Sequence, residues 1–152
     1  MSQELTESLE DYLEAIYHIA ASKQAARPKD IGERMGVQGS SVTGALQALA
    51  ARKLVNYAPY DIVTLTKGGR RVAREIVNRH EALRDFFVGV LGVGEAVAEE
   101  GACRMEHAVP REIFERFSAF ADFVRRSPEG AIQWSDETGF FFAREAGDGD
   151  EG

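Results

Sequence analysis

Hydrophobic residues recur at helical spacing through most of the chain. Leu9, Leu13, Ile16, Tyr17 and Ala20 fall on one side of a first helix that Thr6 or Ser8 can cap, while Asp11 and Glu14 lie opposite, one turn apart. Pro28 suits the first position of a second helix that carries Ile31 and Met35 and ends at Gly36. After the tight connection Val37-Gln38-Gly39, Ser40 can cap a third helix running through Val42, Leu46 and Leu49 to about Arg52. Two short helices joined by a glycine-containing turn form a helix-turn-helix pattern.

The period then changes. Leu54 to Tyr57 and Ile62 to Leu65 are β-type runs separated by the turn-forming Ala58-Pro59-Tyr60-Asp61, which predicts a small hairpin, a wing. From Thr66, a plausible cap, a long helix carries Val72, Ile76, Leu83 and Phe87 on one face and is predicted to end near Gly92. A short helix over roughly Glu95 to Ala108 follows. Pro110 precedes a strongly amphipathic helix with Ile113, Phe114, Phe117, Phe120, Ala121 and Val124 along one stripe. That stripe is wide and aromatic, so it serves either an intramolecular core or a homodimer seam. Past Pro128 the pattern dissolves into Trp134 and Phe140-Phe141-Phe142 among polar residues, and the Gly/Asp/Glu-rich end is expected to be disordered.

The chain of 152 residues, 44% apolar, is ordinary for a folded globular protein. No apolar run reaches the roughly 18 residues that cross a bilayer. The first ten residues lack the basic-then-apolar order of a signal peptide, so the expected location is cytoplasmic, away from membranes. Cys103 is the single cysteine, which excludes an intramolecular disulfide and leaves it a thiol or thiolate role. The net charge of −7 argues at first against nucleic acid. Its distribution reverses that impression. Residues 1–21 carry five acids and no Lys or Arg, residues 22–79 carry 11 basic against 4 acidic residues, and residues 80–152 carry 7 against 16. A basic middle between acidic flanks predicts one region that meets polyanions and others suited to cations.

In a winged helix-turn-helix the second helix of the pair enters the major groove with its N-terminal residues nearest the bases. Those residues are Ser40, Ser41 and Thr43, with Gln38 just before. Lys67, Arg70 and Arg71, at the start of the following helix, can neutralise phosphates. Taken alone, Ser40 reads as a helix cap; the assembly of helix, turn, helix, wing and local positive charge predicts binding to double-stranded operator DNA.

A second constellation points to a metal. Cys103, Glu106 and His107 follow the order Cys-x-x-Glu-His, which a helix would gather within about 100° of arc. A thiolate, a carboxylate and an imidazole on one face form half of a transition-metal shell. Asp11 and Glu14 are a second acidic pair, which alone would read as a solvated face. His80 shares its face with Ile76, Leu83 and Phe87, as a packed core histidine would. Tyr12, Tyr17 and His18 have no evident partner in the sequence.

The run from Leu9 to Tyr17, Ser40-Ser41-Val42-Thr43, Arg79-His80-Glu81 and Ala102 to His107 together resemble the diphtheria-toxin-repressor family of iron- and manganese-dependent transcriptional regulators. The resemblance covers roughly residues 5–126. It implies a mainly α fold with a small β-wing: a winged helix-turn-helix DNA-binding domain over 1–73 and a helical metal-binding and dimerisation domain over 74–142, to which composition adds an acidic tail over 143–152 that is expected to be disordered. It also implies metal-activated repression of metal-homeostasis genes by a homodimer.

By the same resemblance, Asp11, Glu14, His80, Glu106 and His107 coincide with ligands of the manganese-responsive branch. That branch has a glutamate where this chain has Cys103, whereas the iron-responsive branch has a cysteine there and a methionine at Asp11. Arg84 and Glu99 stand where the iron branch places a glutamate and a histidine of an ancillary site, and the SH3-like third domain of that branch is not in the chain. A thiolate favours Fe2+, Co2+, Ni2+ or Zn2+ over Mn2+, while the carboxylates suit Mn2+ or Fe2+. The expected cofactor is therefore a divalent transition metal, with Fe2+ favoured, Mn2+ next, and Zn2+, Co2+ or Ni2+ as in vitro occupants. A single ion drawing ligands from both domains would restrict the spacing of two recognition helices and couple metal to DNA. The competing expectations are a winged-helix regulator of a non-metal ligand, a small metalloenzyme with Glu106 as general base, and a dimerisation adaptor. The second lacks a substrate-binding loop or a nucleophile, and the third leaves the basic segment unexplained.

Overall fold

The computed structural model describes residues 4–58 and 62–143. It is mostly helical, with two short β-hairpins, in the order α1 (Glu7–Lys23), α2 (Pro28–Met35), α3 (Gly39–Ala51), β1 (Val55–Asn56), β2 (Thr64–Leu65), α4 (Lys67–Gly89), α5 (Glu95–Met105), α6 (Arg111–Arg125), β3 (Ala131–Ser135) and β4 (Gly139–Ala143). The chain forms two compact units, Met1–Asn78 and Arg79–Gly152, and the division falls within α4.

In the N-terminal unit, Thr6 caps α1 by accepting the Leu9 N–H at its Oγ1, and the helix buries Tyr12, Leu13, Ala15, Ile16 and Ile19. Pro28 opens α2 where its missing N–H costs no helical bond. Gly36 closes α2 at φ 66°, a left-handed conformation that a Cβ disfavours. The following helix departs from the sequence expectation at its start. Gln38 stands at the cap of α3 without a side-chain cap bond, so Ser40 lies inside the first turn rather than at its cap. Val42, Ala45, Leu46 and Leu49 turn inward from α3 and meet Leu13, Ile16, Ile31 and Ile76 in one apolar cluster. Each fully buried aliphatic side chain in such a cluster contributes about 1.5–3 kcal/mol.

The wing is shorter than its β-type runs suggested: Val55 pairs with Leu65 and Asn56 with Thr64, antiparallel. The turn predicted over Ala58 to Asp61 falls in large part outside the described residues. Beyond the hairpin, Ala26 and Val63 exchange backbone hydrogen bonds of 3.1 and 2.6 Å, tying the segment before α2 to the wing. Thr66 caps α4 as expected, its Oγ1 accepting the Gly69 N–H at 2.9 Å and donating to the Lys53 carbonyl at 2.7 Å. Gly69 is required by this close approach, because a Cβ there would fall on the Leu54 carbonyl.

The C-terminal unit has its own core of Leu83, Phe86, Phe87, Val90, Ala98, Ala102, Ala121 and Val124. Three expectations are corrected here. Helix α4 ends at Gly89 rather than near Gly92, and α5 ends at Met105 rather than Ala108. Residues after Pro128, read as patternless, form the antiparallel hairpin β3–β4 with Ile132 opposite Phe142 and Trp134 opposite Phe140. Ile132 packs onto the core, and the Trp134 and Phe140 rings meet edge to face at 4.8 Å between centroids. Ala143 therefore belongs to a strand, while the rest of the tail expected to be disordered lies outside the described residues. The apolar stripe of α6 divides: Ala121 and Val124 are buried, Phe114 and Phe117 half-buried, and Ile113, Phe120 and Phe123 exposed.

Candidate metal centre and nucleic-acid interface

His80 is the centre of the chemistry in the C-terminal unit. It lies on α4 and is 6% exposed. Its Nδ1 is 2.7 Å from Glu106 Oε2 and 3.8 Å from Cys103 Sγ. Its Nε2 is 2.7 Å from Glu99 Oε1. Glu106 is 2% exposed, and its other oxygen is 3.2 Å from His107 Nε2. Burying a carboxylate is costly unless positive charge or donors compensate it, so a buried glutamate between two imidazoles marks a site built for more than packing.

The local backbone explains how four residues converge. Cys103 and Glu99 are one helical turn apart on α5 and lie beside His80. Glu106 is the C-cap of that helix, its N–H donating to the Ala102 carbonyl, and His107 follows in the turn. The expectation that one helix carries Cys103, Glu106 and His107 is thus corrected: the helix supplies Cys103, and its terminal turn supplies the other two. Cys103 is exposed, unlike a cysteine that merely fills a core. His80, Glu99 and Cys103 present a nitrogen, an oxygen and a sulfur within 4.8 Å of one another. The Cys103 sulfur and the Glu106 carboxylate beside His80 Nδ1 offer the sulfur, oxygen and nitrogen donors that fit a divalent transition metal.

Glu99 was not among the ligands expected from the sequence. Its four-residue spacing from Cys103 was legible, but nothing in the sequence tied it to His80. Arg84 Nη1 approaches the second Glu99 oxygen at 3.8 Å. The two positions that depart from the ancillary site of the iron branch are therefore an ion pair.

In the N-terminal unit, Asp11 and Glu14 are half-buried residues of α1. Glu14 Oε1 is 3.7 Å from His18 Nε2, and Tyr17 contacts the His18 ring edge to face, so His18 has partners the sequence did not reveal. Tyr12 is a core residue. On α3, Ser40 and Ser41 are exposed, as is Gln38 at the cap. Thr43 is half-buried and donates its hydroxyl to the Gly39 carbonyl at 3.0 Å, which leaves its oxygen as an acceptor only. Gln47, one turn beyond Thr43, is also exposed, and the helical period could have identified it. Lys67, Arg70 and Arg71 are exposed on the first turns of α4.

A winged helix-turn-helix in one unit, and in the other a buried imidazole and carboxylate beside an exposed thiol, define a metal-responsive regulator of the winged-helix class. Residues 4–63 match the iron dependent repressor N-terminal DNA binding domain, and residues 66–135 match the iron dependent repressor metal binding and dimerisation domain. The chain belongs to this family of metal-dependent transcriptional repressors, which are DNA-binding regulators and not enzymes. It is 35% identical over 119 residues to an uncharacterized HTH-type transcriptional regulator of Methanocaldococcus jannaschii, covering 78% of this chain and 95% of that protein. It is 33% identical over 128 residues to the HTH-type transcriptional regulator MntR of Bacillus pumilus, covering 84% and 88%. Among solved structures, a manganese-dependent transcriptional repressor in complex with manganese superposes with a TM-score of 0.67 at 34% identity. That match covers 80% of this chain, which spans 56% of the length of the other. Among the described residues no helix is long and apolar enough to cross a membrane.

Proposed function

We propose that this protein is a homodimeric, metal-activated repressor that binds operator DNA and controls genes of metal homeostasis in the cytoplasm, with Fe2+ as its preferred ion. The observation that carries the metal half of this reading is the burial of Glu106 between His80 and His107 beside the Cys103 sulfur. His80, Cys103, Glu106 and His107 are the donors from the C-terminal domain, and Asp11 and Glu14 on α1 are the carboxylate donors from the DNA-binding domain. The ion, when bound, would supply positive charge to these acidic groups. Cys103 must give up its proton to serve as a ligand, and its sulfur favours Fe2+ and Zn2+ over Mn2+. The carboxylates favour hard ions, so Fe2+ satisfies both; the manganese bound by the similar repressor supports Mn2+ as second choice. Zn2+, Co2+ and Ni2+ are expected to substitute in vitro.

On the DNA side, Ser40, Ser41, Thr43 and Gln38 are the proposed groove-facing residues, and Lys67, Arg70 and Arg71 the phosphate contacts. The exposed Ile113, Phe120 and Phe123 on α6 support a dimer seam. The functional boundary between the DNA-binding and the metal-binding and dimerisation regions is placed at 73/74, a few residues before the structural division.

The test is a mobility-shift titration of candidate operator DNA with Fe2+, Mn2+ and Zn2+ under anaerobic conditions, with and without chelator. Metal-dependent shifts with Fe2+ effective at the lowest concentration are expected. Equal binding with and without chelator would overturn the metal-activated reading in favour of a non-metal effector.

A further inference from the structure

The two nitrogens of His80 face different chemistry. On the Nδ1 side stand Glu106 and the Cys103 sulfur, both of ligand type; on the Nε2 side stands Glu99 at 2.7 Å. Glu99 also differs from Glu106 in its electrostatics. Its second oxygen has the Arg84 guanidinium at 3.8 Å, and its side chain is 51% exposed, so its charge is met by an internal cation and by water. Glu106 is 2% exposed and has an imidazole nitrogen within 3.2 Å of each of its oxygens. An imidazole bound to a metal through one nitrogen keeps a proton on the other, and the group that accepts that N–H fixes the ring's orientation and raises its basicity.

We infer that Glu99, steadied by Arg84, is the positioning residue that accepts the Nε2–H of His80 and commits Nδ1 to the metal centre. This rests on the metal-centre reading proposed above. Glu99 is accordingly a brace and not a ligand, and the Arg84–Glu99 pair occupies the side of His80 where a second ion would otherwise find a carboxylate and an imidazole nitrogen. One metal-facing nitrogen per His80 is the consequence.

The test uses the full-length protein loaded with Zn2+, a diamagnetic ion, and ring-15N-labelled histidine observed by NMR. In the wild type, His80 is expected to show a protonated, slowly exchanging Nε2 and a metal-shifted Nδ1. Glu99→Ala should lose the slow Nε2–H signal and weaken Zn2+ binding by about 10- to 100-fold, the range seen when a ligand histidine loses its outer partner. Glu99→Gln keeps a carbonyl acceptor and should retain the signal, with affinity between the two. Arg84→Ala should lower affinity by a smaller factor. The Arg84 and Glu99 side chains are 41% and 51% exposed, and a thermal melt of each zinc-free variant checks that the fold is retained. Zinc on Nε2, or a Glu99→Ala protein with wild-type affinity and the slow Nε2–H intact, would overturn the positioning role while leaving the metal reading standing. A wild type that takes up no Zn2+ would overturn both.

Discussion

His80 and Glu106 face one another at 2.7 Å, Nδ1 to Oε2, with side chains only 8% and 2% exposed. A pair removed from water in this way gains little net stability, because desolvation offsets most of the attraction. Its value lies in what it holds ready. Replacing the acid with an apolar side chain of similar volume therefore separates stability from function. Glu106→Leu is expected to retain the metal-free melting temperature within the equivalent of about 1 kcal/mol. It should also abolish the rise in melting temperature that Fe2+ or Zn2+ gives the wild type. Thermal melts with and without metal check both halves.

Metal selectivity is expected to follow Cys103. Cys103→Ala should weaken Fe2+ and Zn2+ more than Mn2+, and Cys103→Glu should shift the preference toward Mn2+, since an oxygen replaces the softer sulfur. Asp11→Met should move in the opposite direction. The measured quantity is the ratio of metal concentrations that half-activate operator binding, taken anaerobically because a thiolate beside iron oxidises. Unchanged ratios in Cys103→Ala would make manganese the better assignment.

Thr43→Glu tests the recognition helix. A carboxylate at this position of α3 would meet the phosphate backbone with like charge, and operator affinity should fall by on the order of 100-fold or more. The hydroxyl bonds to the Gly39 carbonyl within its own helix, so the fold and metal affinity should be kept, as circular dichroism and metal titration would show. Wild-type operator affinity would move the recognition surface elsewhere.

The junction between α3, the wing and α4 depends on Gly69. Gly69→Ala drives a methyl group into the Leu54 carbonyl, and the backbone must shift to admit it. A loss of about 1–3 kcal/mol is expected, the usual cost of overpacking, read as a lower urea midpoint with an unchanged slope.

Assembly should depend on the exposed edge of α6. Phe123 is 70% exposed in the single chain, and Phe120 and Ile113 lie nearly half exposed on the same helix. Sedimentation of the wild type at micromolar concentration is expected to give a dimer with or without metal, and Phe123→Glu a weakened one. A monomeric wild type would remove the mechanism based on the spacing of two recognition helices.

Elements with local punctuation were legible from sequence. Pro28 and Gly36 bracket α2, Thr6 caps α1 and Thr66 caps α4, because each acts on backbone groups within four residues of itself. The hairpin β3–β4 was not legible, since Phe140, Phe141 and Phe142 are apolar on both faces and the alternation that marks a strand disappears. The Ala26–Val63 pairing joins residues 37 positions apart and has no local signal at all. At the site, the Cys-x-x-Glu-His order was visible, but the end of α5 before Glu106 was not. Glu99 remained hidden because an exposed acid on a helix acquires meaning only when a distant imidazole is set beside it.

The position of Glu106 at the end of α5 has a consequence for how the protein reports its signal. Its carboxylate sits at the C-terminal end of a helix, where the aligned peptide dipoles already present partial negative charge, a placement that disfavours an anion by about 0.3–1 kcal/mol. An electrostatic debt is thereby written into the helix terminus itself. If Glu106 holds the proposed metal, a cation bound there would both satisfy a ligand and offset the charge of a helix end, so that metal uptake and the consolidation of local structure would be one event. On the proposed reading, the concentration of free metal would then be read out as the order of one turn of backbone.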